Sequence, residues 1–203
     1  MTASSSPDNW LRTDETEEAL LALRVTSENL DKALLDLTYW PWVILPLHNA
    51  LQGFMVLALR GSNGLNVLTP ESAAGWIAAY ESGTGDYPEL ELDDFLNLYH
   101  KVKSPSMMPL GISRPFKPRG SQGWSIKKLN SLRNEFVHFV PKGWSLEVSG
   151  LPSIVEDCVT AIEYLAFESD CIQWIEPQHE ATAKTLVANI HYQAAKLKKR
   201  YGA

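Results

Sequence analysis

A run of nineteen residues without a formal charge, PWVILPLHNALQGFMVLAL, is the feature that most limits what this chain can fold into. It spans Pro41 to Leu59, and a segment this apolar has to be buried in a membrane or in a protein core. Four residues interrupt its apolar character: Pro46, His48, Asn49 and Gln52. Polar groups are costly in lipid, where no water satisfies them. We therefore predict a buried helix over roughly residues 42–60 that ends at Gly61, in a soluble bundle with no membrane partner.

Helical spacing of apolar residues recurs along most of the rest of the chain. A first helix is expected to begin near Asp14, whose side chain can cap it, and a third to run from about Ser125 to Phe139. A fourth is expected after Pro152, and a fifth over residues 179–200, with its basic end at the negative pole of the helix dipole. The pattern predicts an all-α fold, a bundle of four to five helices.

Residues 61–123 interrupt this pattern and are expected to form an insertion of short helices and loops. TPESAAGWIAAYESG predicts a helix with Thr69 as its N-cap, and LDDFLNLYHKV predicts another. A long loop rich in proline, glycine and basic residues follows them. We expect a flexible N-terminus over residues 1–13 and a single helical domain over 14–203 that contains this insertion. The segment WSLEV, beyond the third helix, is expected to be a short strand or an extended connector.

Composition narrows the class of protein. Hydrophobic residues make up 45% of the 203 residues, enough for a core, and charged residues make up 21%, which argues against wholesale disorder. The two cysteines, Cys158 and Cys171, lie on predicted helices and are expected to be buried thiols in a reducing compartment. The opening MTASSSPDNW lacks the basic and apolar regions of a secretory signal, so we expect a cytoplasmic location.

Charge is distributed unevenly along the chain. Residues 1–94 carry a balance of −11, residues 95–134 contain no acid and carry +8, and residues 135–203 carry −3. A local basic patch on an acidic protein can attract a polyanion without making the whole surface adhesive. The alternative is that the tract is an uneven but solvated loop charge.

The basic tract ends in the helix LNSLRNEFVHF, Leu129 to Phe139, which carries an unusual set of polar groups. At about 100° per residue, one side of this helix is apolar. The apolar positions are Leu129, Leu132, Phe136, Phe139 and Val140. The other side carries a polar stripe: Lys127, Asn130, Ser131, Asn134 and His138. Arg133 lies at the flank of the apolar side, roughly 140° from His138, so a second helix is needed to complete a shared site. That helix can belong to the same chain or to a symmetry mate.

Arginine, asparagine and histidine together suit the cleavage of RNA. Arginine binds phosphate through a fixed fork of donors, and histidine exchanges protons near neutral pH. RNA carries its own nucleophile, the 2′-hydroxyl, so a nuclease needs only a proton shuttle and a charge stabiliser. No metal-ligand set is visible beside this helix, and we therefore expect no metal and no other cofactor. The products would be a 2′,3′-cyclic phosphate and a 5′-hydroxyl.

RNEFVH resembles the Arg-x4–6-His motif of the HEPN superfamily, and the resemblance covers roughly residues 14–60 and 124–200. It implies a HEPN-like helical bundle that forms a homodimer through the motif helix. It also implies a metal-independent endoribonuclease of a toxin, phage-defence or RNA-processing system, with an antitoxin or a nucleotidyltransferase-type protein as a possible partner. The carried-over roles are His138 as general acid and base, Arg133 as phosphate and transition-state stabiliser, and Asn134 as orienting group. The long middle region departs from the minimal family pattern.

Other residues are candidates for substrate binding. Arg114, Lys117, Arg119 and Lys127 could follow an RNA backbone. His48 and Gln52, four residues apart on one helix face, either line the cleft or form a buried hydrogen-bond network between helices.

Two further functions stay open. A non-catalytic module that binds RNA, a nucleotide or a protein partner is favoured by the acidic first half of the chain. A bundle without any nucleic-acid role, in which the motif is accidental, is the third alternative.

Overall fold

The chain folds around one very apolar helix that other helices surround. The computed structural model describes residues 9–83, 85–138, 141 and 143–202. Seven α-helices lie in this part of the chain: α1 (Glu15–Ala33), α2 (Trp40–Leu59), α3 (Pro70–Ser82), α4 (Phe95–Lys101), α5 (Gln122–Val137), α6 (Leu151–Glu163) and α7 (Pro177–Tyr201). Helices α1, α4, α5 and α6 all pack against α2, and α7 packs against α1 and α6. The prediction of an all-α bundle is therefore confirmed.

Helix α2 occupies the position expected for the uncharged run. Twelve of its residues are buried, although Pro46 lies in its interior. The stretch Leu37–Leu59 is long and apolar enough to cross a membrane, but 61% of its most apolar window is buried inside the protein. A core helix passes the same test of length and composition as a membrane span, so the burial accounts for the apolar character.

Helix starts follow the capping residues in the sequence. The Asp14 carboxylate accepts hydrogen bonds from the backbone N–H groups of Thr16 and Glu17, at 2.8 and 2.9 Å. Thr69 caps α3 in the same way, as predicted. Helix α6 starts at Leu151, before Pro152 rather than after it, because proline is tolerated in the first turn, where no intrahelical donor is required.

The middle region, residues 61–123, contributes to the same core as the bundle. In α4, Phe95, Leu98 and Tyr99 are buried, and Phe116 of the following loop is buried beside them. An ion pair of 2.7 Å joins Lys101, the last residue of α4, to Asp93, just before the start of this helix. Helix α3 is different, because Ser72 is its one buried residue.

Several predictions concern segments outside the helices. Residues 144–148 lie outside any strand or helix, so WSLEV is an irregular connector; in the described residues, the pairing of Leu68 with Leu92 is an isolated bridge. Of the N-terminus predicted to be flexible, residues 1–8 lie outside the described part, and residues 9–13 are exposed and not helical. Phe139 and Val140, predicted to extend the apolar side of the third helix, also lie outside it.

Candidate functional site at helix α5

Helix α5 is fixed at its start by α6 and along its length by the core. The Asp157 carboxylate of α6 accepts hydrogen bonds from the hydroxyls of Ser121 and Ser125, at 2.7 and 2.5 Å. Leu129 and Leu132 are buried, as the wheel predicts. The orientation of the polar residues at the far end of α5 is therefore set by the packing of the bundle.

Arg133, Asn134 and His138 all lie at the C-terminal end of α5. Nη1 of Arg133 donates to Oδ1 of Asn134 at 3.0 Å. The backbone N–H of His138 donates to the carbonyl of Asn134 at 3.0 Å, and at His138 the chain leaves the helix for an extended conformation. The imidazole of His138 is exposed, whereas Arg133 is half-buried. The side chain of Asn134 thus contacts Arg133, whereas its bond to His138 is the backbone bond that closes the last turn of the helix.

Arg133 and His138 point to different sides of α5. Arg133 lines a groove of about 580 Å³ together with Asn49 and Gln52 of α2 and with residues of α1. No hydrogen bond among the described residues joins Arg133 to His138. The groove also contains two carboxylates, Glu15 and Glu18. The two motif residues therefore do not form a closed site within one chain.

His48 lies beneath the motif in a network between α2 and α5. Its Nε2 is 2.9 Å from Oδ1 of Asn130, its ring stacks on Phe95 with centroids 4.0 Å apart, and its side chain is only 3% exposed. Nδ1 of His48 is buried without a hydrogen-bond partner in the described structure. Burial, with a smaller contribution from the charge of Arg133, lowers the pKa of His48 to about 4 against the opposing hydrogen bond to Asn130. The observed position matches the buried network rather than direct contact with a substrate.

The remaining polar stripe of α5 faces solvent. Lys127, Ser131, Asn134 and His138 are all exposed, and their spacing of four, three and four residues places them along one helix face. This face has no covering element in the described chain. His138 is therefore accessible from solvent along this face.

The basic loop lies at the opposite end of α5 from the motif. Arg114, Lys117 and Arg119 line a pocket of about 270 Å³ together with Gln122, the first residue of α5. Arg114 already has partners in this pocket. Its guanidinium donates to the carboxylate of Asp170 at 2.9 Å and to a backbone carbonyl. Lys117 and Arg119 are exposed. A rise of 1.5 Å per residue puts the start of α5 about 24 Å from His138.

Sequence reasoning placed Asn130 on the polar stripe but missed its partner. Two signals were available: His48 is an isolated polar group in an apolar helix, and Asn130 lies one turn before Asn134 at the border of the apolar side. Pairing them requires the relative position of α2 and α5, which periodicity does not give. Lys103 was not predicted as a neighbour of Lys127 for the same reason, because their approach depends on how α4 and α5 pack.

The described residues hold no group of three or more His, Cys, Asp or Glu side chains suited to a metal ion. Both cysteines are buried free thiols, as predicted, although Cys171 lies outside the helices rather than on one, and burial raises the pKa of Cys158 strongly. Comparisons of the chain with models of protein families, with curated proteins and with solved structures find no match.

Proposed function

We propose that this protein is a metal-independent endoribonuclease of HEPN type. The observation that carries the proposal is the arrangement at the end of α5, where the side chain of Asn134 accepts a hydrogen bond from Arg133 and the imidazole of His138 is exposed. A cation held by an amide and an accessible imidazole are the charge stabiliser and the proton shuttle that RNA cleavage requires, although the two face different sides of one helix. The acid-free tract of +8 that leads into α5 would attract the substrate.

In the proposed reaction the 2′-oxygen attacks the adjacent phosphorus. The 2′-oxygen–phosphorus bond forms and the bond from phosphorus to the 5′-oxygen breaks. One imidazole takes the proton of the 2′-hydroxyl, and a protonated imidazole gives a proton to the departing 5′-oxygen. Arg133 stabilises the charge that develops on the phosphate oxygens, with Asn134 holding the guanidinium in place. The products are a 2′,3′-cyclic phosphate and a 5′-hydroxyl.

We propose that the site is completed by a second copy of the chain. Arg133 and His138 face different sides of α5, so two copies related by a twofold axis can place the arginine of one beside the histidine of the other. Apolar side chains next to the motif support this: Val137 is 40% exposed and Trp144, which packs on Phe136, is 45% exposed. Val137→Glu should then convert a dimer into a monomer in light scattering and remove cleavage. A monomeric wild-type protein that cleaves RNA would refute this part of the proposal.

The test of activity is RNA cleavage in EDTA, with end-group analysis of the products. Wild-type protein should release cyclic-phosphate ends, and His138→Ala and Arg133→Ala should each lower the rate by at least about 100-fold, the usual effect of a lost proton shuttle or charge stabiliser. His179→Ala and Arg24→Ala remove the same side-chain types from α7 and α1 and should retain the wild-type rate. Cleavage that survives in His138→Ala, or that depends equally on His179, would refute the assigned roles.

A non-catalytic binding module is the second candidate, and one observation favours it. Glu18 lies in the same groove as Arg133 and its charge opposes the entry of a phosphate there, whereas Glu15 of this groove pairs with Arg60. Such a groove suits a protein partner with a basic group better than it suits RNA. Binding of RNA or protein that persists without any cleavage, and that is unaffected by His138→Ala, would favour this candidate.

A further inference from the structure

Four cations surround the first turns of α5, where three segments of the chain converge. We call them the basic surface: Lys103, Lys117, Arg119 and Lys127. Gly123 of α5 lies where these segments meet, because a Cβ on it would come within 3.5 Å of the Tyr99 hydroxyl and 4.0 Å of a Pro118 side-chain carbon. The end of α4, the basic loop and α5 thus share one surface, although Lys103 and Lys127 are 24 residues apart in sequence.

Lys103 is held in place by two ring side chains. Its Nζ lies 4.1 Å from the centroid of the Tyr99 ring and 3.3 Å from Nδ1 of His100. Burial, together with the charge of Lys127 nearby, lowers the pKa of Lys103. Because the two ammonium groups repel each other, an anion that binds between them is attracted by both.

Few carboxylates lie near the basic surface, and two of them already have hydrogen-bond or ion-pair partners. Asp157 accepts hydrogen bonds from two serines, and Asp170 pairs with Arg114. Glu168 lines the pocket of the basic loop. No salt bridge in the described part of the chain includes any of the four cations. Their charge is therefore left to solvent or to a ligand.

We infer that the basic surface binds the phosphate backbone of a single-stranded RNA that is cleaved at the motif, the helix rise placing the start of α5 about 24 Å from His138. This inference rests on the proposed function and adds a second contact to it. At about 3.4 Å per stacked nucleotide, the span corresponds to about seven nucleotides. Trp124, one helical turn before Lys127 and 62% exposed, offers a ring on which a base can stack, and stacking of this kind requires unpaired bases. The substrate class is thus single-stranded RNA of about seven nucleotides or more.

The inference is tested by binding and by cleavage, with oligouridine of 4 and 12 nucleotides. Binding to the His138→Ala protein is measured by fluorescence anisotropy in EDTA at several salt concentrations. The double variant Lys117→Glu/Arg119→Glu removes two phosphate contacts. At about 0.7 per contact, the slope of log affinity against log salt should fall by about 1.4, which is about 25-fold in affinity at 0.1 M salt. Arg24→Glu/Lys32→Glu makes the same change of charge on exposed residues of α1 and should leave the affinity for the 12-mer unchanged.

Cleavage then separates this inference from the proposed function. In active protein, kcat/KM for the 12-mer should exceed that for the 4-mer, and the charge-reversed double variant should lose most of this ratio. Cleavage with no dependence on length and no effect of the double variant on affinity would overturn the inference while the proposed function stands. Binding of the 12-mer that the double variant weakens, without cleavage, would support the basic surface while the proposed function fails. A wild-type protein that binds no RNA would overturn both.

Discussion

Replacement of His48 by glutamine should remove a pH-dependent part of the stability of this protein. The imidazole is buried between α2 and α5, and its burial, opposed by the hydrogen bond to Asn130, lowers its pKa from 6.5 to about 4. A histidine whose pKa is lower in the folded state binds fewer protons there than in the unfolded chain. The neutral imidazole therefore makes its full contribution to the free energy of unfolding above about pH 6.5. This contribution is lost as the pH falls toward 4.

The magnitude follows from the two pKa values. With 6.5 in the unfolded chain and about 4 in the folded one, protonation costs about 1.4 kcal/mol of folding free energy at pH 5.5 and about 2.5 kcal/mol at pH 4.5. His48→Gln keeps a donor within reach of Asn130 but cannot titrate. The difference in unfolding free energy between wild type and variant should change by these amounts relative to its value at pH 7.5.

The assay is urea unfolding followed by far-ultraviolet circular dichroism at pH 7.5, 5.5 and 4.5. The carboxylates titrate alike in both proteins, so their contribution cancels in the difference. His48→Asn, a second neutral replacement, controls for the shape of the new side chain. If wild type and both variants lose stability in parallel between pH 7.5 and 4.5, the histidine is not buried in its neutral form and the network described here is wrong.

Three more expectations concern the same packing and are measured by urea unfolding. Asn130→Ala should cost about 1–3 kcal/mol, because it leaves a buried imidazole without its partner, whereas Asn134→Ala, on the exposed face, should cost less than about 0.5 kcal/mol. Gly53→Ala should cost about 1–3 kcal/mol, since its new Cβ would lie 2.8 Å from the side chain of Ala19 in α1. Gly75→Ala should instead stabilise α3 by about 0.5–1 kcal/mol, because its new Cβ would be in ordinary contact with Pro88, at 3.4 Å. Asp14→Ala should cost about 1 kcal/mol through the lost cap of α1. Equal effects within either matched pair would contradict the contacts described.

The helices were predictable because their signals are local. Asp14 and Thr69 cap the helices that they were expected to cap, and the uncharged run forms the buried α2. The role of the middle region was not predictable in this way. Phe95 and Phe116 belong to the same core as the bundle, but their segments carry too few apolar residues for periodicity to show which face is buried.

The candidate site was predictable only in its parts. The helix wheel placed Arg133 away from the stripe of His138, and the structure shows Arg133 in a groove with Gln52 while His138 is exposed. The wheel did not show that Lys117 and Arg119 lie at the other end of α5 from the motif. Sequence proximity suggested a shared site, yet a helix of sixteen residues separates its two ends by about 24 Å, its length at 1.5 Å per residue.

Neighbouring polar residues of α5 have different environments: some form hydrogen bonds in the interior, and others lie on the exposed surface. This explains why a helix with one buried face can carry so many polar groups. Asn130 turns inward to His48, so its cost of burial is offset by a hydrogen bond at 2.9 Å. Asn134, one turn later, is exposed and bonds to Arg133 instead. A change at Asn130 would alter the packing of α5 on α2 and thereby move the guanidinium of Arg133, whose groove is walled by α2. Loss of activity in Asn130→Ala alone would therefore indicate positioning, and only variants of the exposed stripe test the proposed chemistry.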